Sequence, residues 1–199
     1  MFNQPQAIKS IKSFLNKIIC IDRLIITSYI KQCQDLISGD LLDVGCGASP
    51  YKKYFKNLNS YTGIDLQNNA DIHHNLKEFP YPIKNASYDS ILCTQVLDDL
   101  PEPLKFIAEL KRILKNGGYL ILSVSFVWEI HDEPNDYYRP TKYWLKFLLE
   151  NEGFKILEIK EIGNSWTSLG QVINLNVLNL IRRIKALNYI LSPLLIFNC

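Results

Sequence analysis

Long apolar runs, blocks of like charge and paired cysteines are all missing from this chain, and each absence narrows what it can be. No segment reaches the roughly 20 consecutive apolar residues that a membrane-spanning helix needs. With 22 Lys+Arg against 20 Asp+Glu the formal charge is only +2, and no basic stripe marks a polyanion-binding face. Nucleic acid is therefore not favoured as a partner. Cys20, Cys33, Cys46, Cys93 and Cys199 form no Cys-x-x-Cys unit and no paired framework, which predicts reduced thiols and a cytoplasmic setting. The N-terminus has no apolar stretch ahead of a small-residue cleavage site, so it does not read as an export signal. A chain of 199 residues suits one domain with a sizeable core and short appendages.

The informative stretch is Leu41-Leu42-Asp43-Val44-Gly45-Cys46-Gly47, followed by Gly63-Ile64-Asp65. It reads as a buried strand, a glycine turn, a short helix entered by Pro50, and a second strand ending in an acid. Glycines at 45 and 47 let the backbone turn tightly and approach a ligand, and an acid at the next strand's tip can accept from both hydroxyls of a ribose. That predicts a nucleoside-containing cofactor. A dinucleotide fingerprint would place a third glycine where this chain has Pro50, and Asp43 inside the first strand suits a cationic ligand better than a pyrophosphate.

The remaining elements alternate. Helical spacing predicts one helix over 7–19 and a second from an Asp22 cap to Gly39. Strands are expected at 40–45, 61–65, 70–72, 89–94, 119–125 and 154–162, with helices over 103–114, capped by Asn116-Gly117-Gly118, and from a Thr141 cap to Gly153. This implies an α/β fold, a doubly wound, Rossmann-like, mostly parallel sheet. The division is an N-terminal helical flank or lid over 1–39, a core over 40–162, and an apolar helical segment over 163–199. The last is rich in Leu, Ile and Val at 172–181 and 187–197 beside Arg182, Arg183 and Lys185. Such surface must be covered by the core, by a second copy of the chain or by a membrane surface, which would make the protein membrane-peripheral.

On these motifs, with Tyr88-Asp89-Ser90-Ile91-Leu92-Cys93 and Leu110-Lys111-Arg112-Ile113-Leu114-Lys115-Asn116-Gly117-Gly118-Tyr119-Leu120 following in order, residues 40–162 resemble the class I S-adenosylmethionine-dependent methyltransferases. Gly47-Ala48-Ser49-Pro50-Tyr51 and the 131–141 segment are similar to a small generic, type 11-like bacterial subgroup. The resemblance implies S-adenosyl-L-methionine as cofactor. It implies that Asp43, Gly45, Cys46, Gly47 and Ala48 line its methionine half and that Asp65 holds the ribose. Leu66, Asp71 and Ile72 would flank the adenine, with Cys93, Thr94 and Gln95 near the sulfonium. The family closes its sheet with a seventh strand, for which nothing strand-like remains after 163, so that strand is expected to be missing.

The segment from Glu129 to Thr141 follows the fifth strand and is expected to form the substrate loop. His131 there could take a proton from an acceptor hydroxyl or amine, or simply hydrogen-bond Asp136 or the backbone. Tyr51, Tyr138 and Arg139 are the candidate substrate-binding residues, with Arg139 equally able to pair with a local carboxylate. Adjacent His73 and His74 point to opposite faces of an extended segment, so no metal site is expected. Asp98-Asp99 replaces the Glu-His pair usual after the fourth strand in related methyltransferases. The expected activity is methyl transfer to oxygen or nitrogen of a small molecule, a glycan or lipid-linked precursor by analogy. The alternative is a non-catalytic methyltransferase-like partner subunit.

Overall fold

The computed structural model describes residues 21–67 and 69–183, with side chains from residue 23 to residue 176. The helix expected over 7–19 and the end of the apolar segment, 184–199, lie outside the described residues. The described chain falls into two compact units, one running from Tyr29 to Lys160 and the other made of the residues on either side. Helix α1 (Ile21–Cys33) runs across the division and already includes Asp22, so Asp22 is not its cap.

Five strands form one parallel sheet: β1 (Gly39–Val44), β2 (Leu58–Asp65), β3 (Ile72–His73), β4 (Tyr88–Thr94) and β5 (Leu114–Ser123). Their order is β3-β2-β1-β4-β5. Leu41 to Val44 of β1, Asp43 included, and Ile91 to Cys93 of β4 are buried in consecutive positions. Covering on both faces is what places these two strands in the middle of a parallel sheet. The strand order reverses between β1 and β4, and in open α/β sheets that reversal opens a crevice outside the carboxyl ends of the strands.

Helix α2 (Pro103–Ile113) turns Phe106, Ile107, Leu110 and Ile113 into the core against β4 and β5. The expected cap at Asn116-Gly117-Gly118 is not used. Ala86 and Ser87 donate their N–H groups to the carbonyls of Arg112 and Ile113, both at 2.9 Å, which satisfies the helix end from outside and lets Leu114 become extended at once. Asn116 to Gly118 fall instead in a register shift between β4 and β5, where Tyr88 faces Leu114 but Ser90 faces Tyr119. Thr141 does cap helix α3 (Lys142–Asn151), its Oγ1 accepting from the Trp144 N–H at 3.2 Å.

Two other expectations fail. Pro50 opens no α-helix, only a single 3-10 turn at Lys52–Tyr54, because Phe55 is extended with its ring buried. Residues 154–162 form no strand. Phe154 and Ile156 pack on the core while Lys155 and Leu157 face solvent. Alternation reports one-sided burial, and an extended segment lying on a core satisfies it without a backbone ladder. Among the described residues, then, the sheet ends at β5 with neither a sixth nor a seventh strand. In the other unit, helix α4 (Ser165–Arg183) follows. No described helix is long and apolar enough to cross a membrane.

Candidate active site

At the carboxyl end of β1 the chain turns through Gly45, φ +70°, and Gly47, φ +50°. The two glycines serve different needs. A Cβ on Gly45 would lie 2.3 Å from Val96 Cγ2, so that position is dictated by close packing against the turn after β4. A Cβ on Gly47 would meet only Gln67 Nε2, at 3.9 Å, so the loop there faces open space. The Gly45 N–H donates to Ile64 O at 2.9 Å and the Gly47 N–H to Asp65 Oδ2 at 2.9 Å, tying the glycine turn to the end of β2.

Asp65 Oδ1 accepts from the Gln67 N–H at 3.0 Å. Each carboxylate oxygen has then accepted one bond, and about two of its four lone-pair sites remain for ligand hydroxyls. Asp43, 1% exposed, accepts from the Tyr61 hydroxyl. Burial pushes its carboxyl up to about 6, against the opposing effect of that hydrogen bond. A cation brought beside it would favour the charged form. Open space at Gly47, spare acceptor capacity at Asp65 and an under-compensated carboxyl at Asp43 together fit a ligand carrying a ribose and a cationic amino acid.

The other expected cofactor residues are spread more widely. Cys46 is buried and Ala48 exposed; burial, with Asp43 nearby, pushes the Cys46 thiol up to about 11. Leu66 is exposed, but Asp71 Oδ2 accepts from the Gly63 N–H at 2.7 Å and Ile72 packs on the core, so both help hold β2 and β3. Cys93 is fully buried in the core. Thr94 ends β4, and Gln95, φ +56°, donates its side-chain amide to Ser123 Oγ at 3.1 Å. Tyr51 is buried.

Across the β1–β4 crevice, the loop after β5 is pinned on the turn after β4. The Tyr137 N–H donates to Asp98 O at 3.0 Å and the Tyr138 hydroxyl to Leu97 O at 2.5 Å. Tyr138 is thus a structural anchor, with its phenol pushed well above its ordinary range by burial. Arg139 grips Asp136 with both terminal nitrogens, one at 2.7 Å, and donates to Glu129 O at 3.2 Å. Those Arg139 hydrogen bonds hold Asp136 down to about 2. The pairing reading of Arg139 is the one observed.

His131 stands beside this anchor. Its N–H donates to Asp136 Oδ2 at 3.1 Å, its Nδ1 lies 3.3 Å from Glu129 O and from Asp136 Oδ2, and its Nε2 faces Asp99 Oδ1 at 3.8 Å. Asp98 and Asp99 complete the group. Burial raises both carboxyls, that of Asp99 to about 6. Elsewhere, His74 Nε2 is 2.9 Å from Glu78 O, away from this group. Three residues were not assigned to the site from the sequence. Tyr61 could have been found from register, because Gly63 pairs with Asp43 and residue 61 shares the face of residue 63. Asp98 and Asp99 were seen only as a departure from a familiar pair.

Residues 42–122 match the family described as Methyltransferase domain, and with the parallel sheet this defines them as a class I S-adenosylmethionine-dependent methyltransferase domain. S-adenosylmethionine is the cofactor of that class. The chain is 32% identical over 167 residues to the tRNA U34 carboxymethyltransferase of Nautilia profundicola, covering 70% of this chain and 55% of the relative. It is 29% identical over 111 residues to the ubiquinone biosynthesis O-methyltransferase of Xanthomonas oryzae pv. oryzae, covering 48% of this chain and 46% of the relative. The chain therefore spans about half the length of the curated relatives it matches. A solved S-adenosylmethionine-dependent methyltransferase from Aquifex aeolicus shares the fold, with a TM-score of 0.54 and 24% identity over 76% of this chain and 93% of that one.

Proposed function

We propose that the chain transfers a methyl group from S-adenosylmethionine to an oxygen or nitrogen of a small-molecule acceptor. The observation that carries this reading is the junction of β1 and β2, where the Gly47 turn is tied to Asp65 with open space beside it and Asp43 lies buried behind. The cofactor supplies an activated methyl group on a sulfonium. The protein's share is then geometric: to orient the acceptor in line, exclude water and accept a proton. Asp43, the Gly47 turn and Asp65 would hold the cofactor, and the Asp98–Asp99–His131 group would take the proton that the acceptor gives up as it gains the methyl.

The two relatives differ in setting, one a tRNA U34 carboxymethyltransferase and the other an O-methyltransferase of ubiquinone biosynthesis. A net charge of +2 with no basic stripe supports the small molecule over the RNA. Titration calorimetry with S-adenosylhomocysteine and with NAD tests the cofactor. We expect saturable binding of the first and none of the second, and NAD binding alone would overturn the reading. The sheet ending at β5 among the described residues favours a second reading, a methyltransferase-like partner subunit without catalysis. That reading expects S-adenosylhomocysteine binding with no turnover on any acceptor.

A further inference from the structure

We propose that Asp98, Asp99 and His131 form a binding site for one divalent first-row cation of the manganese or zinc class. One carboxylate oxygen from each aspartate and one ring nitrogen of His131 lie within 4.8 Å of one another. The Asp98 side chain is only 2% exposed, and its Oδ1 is buried without a hydrogen-bond partner among the described residues. Asp99 Oδ1 is buried and equally unpartnered, with His131 Nε2 the nitrogen that faces it. A buried carboxylate oxygen left unpaired is costly, and native structures seldom keep one without a ligand to meet it.

Charge points the same way. Asp132 and Asp136 also act on Asp99, which makes four carboxylates around this point. The fixed cation beside them is Arg139, and its two terminal nitrogens are engaged by Asp136; its nearest approach to Asp98 is 3.7 Å. Negative charge is left over where a divalent ion would sit.

The imidazole is arranged for ligation. Nδ1 lies 3.3 Å from Glu129 O and from Asp136 Oδ2 and 3.4 Å from an Arg139 terminal nitrogen, so the ring is held from that side while Nε2 is the nitrogen turned to Asp99. A carboxylate or carbonyl behind the far nitrogen is the usual support of a ligating histidine. The ligands also come from two elements locked together, since the Tyr137 N–H and the Tyr138 hydroxyl hold the loop after β5 on residues 97 and 98. Two carboxylates with one imidazole suit manganese or zinc better than calcium or magnesium, which prefer oxygen alone. Three protein ligands leave coordination open. Building on the methyl-transfer reading, an acceptor oxygen in that opening would lose its proton more readily, to solvent and not to the three side chains then acting as ligands.

The test is a titration of the intact, metal-stripped protein with Mn²⁺, followed by the electron paramagnetic resonance of the free ion, and a parallel calorimetric titration with Zn²⁺. We expect one equivalent to bind. Asp99→Asn and His131→Ala should each weaken it by roughly tenfold or more, while a His73→Ala/His74→Ala double variant binds as the parent does. Asp98→Asn should behave as the first pair; if its circular dichroism shows it unfolded, the two more exposed variants carry the test. Absence of saturable binding at millimolar ion, or binding unchanged in Asp99→Asn and His131→Ala, overturns the site. S-adenosylhomocysteine is titrated separately in chelator. Metal binding without S-adenosylhomocysteine binding would support the cation site and sink only the methyl-transfer reading.

Discussion

Asp65 and Asp43 stand at the same junction, yet their environments ask different things of them. Asp65 holds the glycine turn and keeps acceptor capacity for a ribose, so Asp65→Ala should weaken S-adenosylhomocysteine binding by roughly 1.5–3 kcal/mol, the range for a hydrogen bond to a charged group. Calorimetry checks this, and equal affinity in parent and variant would remove Asp65 from the ribose site. Asp43 is a buried acid whose carboxyl is raised to about 6. The folded state holds its proton more tightly than the unfolded state, so its contribution to stability is present below pH 4 and lost as pH rises through about 6. Asp43→Asn should therefore raise the melting temperature of the ligand-free protein at pH 7.5, by the equivalent of about 3 kcal/mol, and by about half as much at pH 5. It should weaken cofactor binding at pH 7.5, because the neutral amide offers no charge to a cation. Thermal melts at both pH values with calorimetry at the higher one decide it. A variant no more stable at pH 7.5 would show that the burial cost is met elsewhere. Asp43 and Asp65 were legible in the sequence because a strand–glycine–strand pattern fixes which face their side chains share. Tyr61 was not, since one tyrosine in a strand looks like any other until register is known.

Among the elements, the loop after β5 differs most from its expectation. Its position at the carboxyl edge was readable from the chain order, but not which of its polar residues are spent on the loop itself. Arg139 and Tyr138 are spent: one grips Asp136 and the other bonds Leu97 O. His131 has side-chain contacts but still turns Nε2 to Asp99. His131→Ala should accordingly lower turnover far more than S-adenosylhomocysteine affinity, because the imidazole acts on the acceptor side. Arg139→Leu should differ, releasing Asp136 and the loop together and raising amide hydrogen exchange across 129–139. If His131→Ala lowers cofactor affinity in parallel with turnover, His131 serves the loop and not the acceptor. The misread strand at 154–162 and the misread cap at 116–118 share one cause. Local pattern reports burial and backbone preference, whereas ladder partners and helix-end acceptors come from distant residues, here the turn at 86–87 and the edge of β5.

At the scale of the molecule, every residue assigned to the cofactor or the acceptor lies in the unit from Tyr29 to Lys160, while α4 belongs to the other. The parallel order of the sheet was foreseeable from alternating strands and helices, whereas the division into units was not, because it depends on which segments exchange contacts. A site contained in one unit should outlast loss of sequence from the other. Deleting residues 164–199 should leave S-adenosylhomocysteine affinity within about threefold, a change under roughly 0.7 kcal/mol. The removed segment also carries exposed Trp166, Leu169 and Ile173, at 79%, 49% and 52%, so its loss should not lower solubility through newly missing polar surface. Calorimetry on the truncated and full chains, with near-ultraviolet circular dichroism to verify that the sheet unit keeps its packing, tests the prediction. A truncated chain that keeps its near-ultraviolet spectrum but loses the ligand would show that residues beyond 163 complete the cofactor site. Retained affinity would show that residues 164–199 contribute nothing to it.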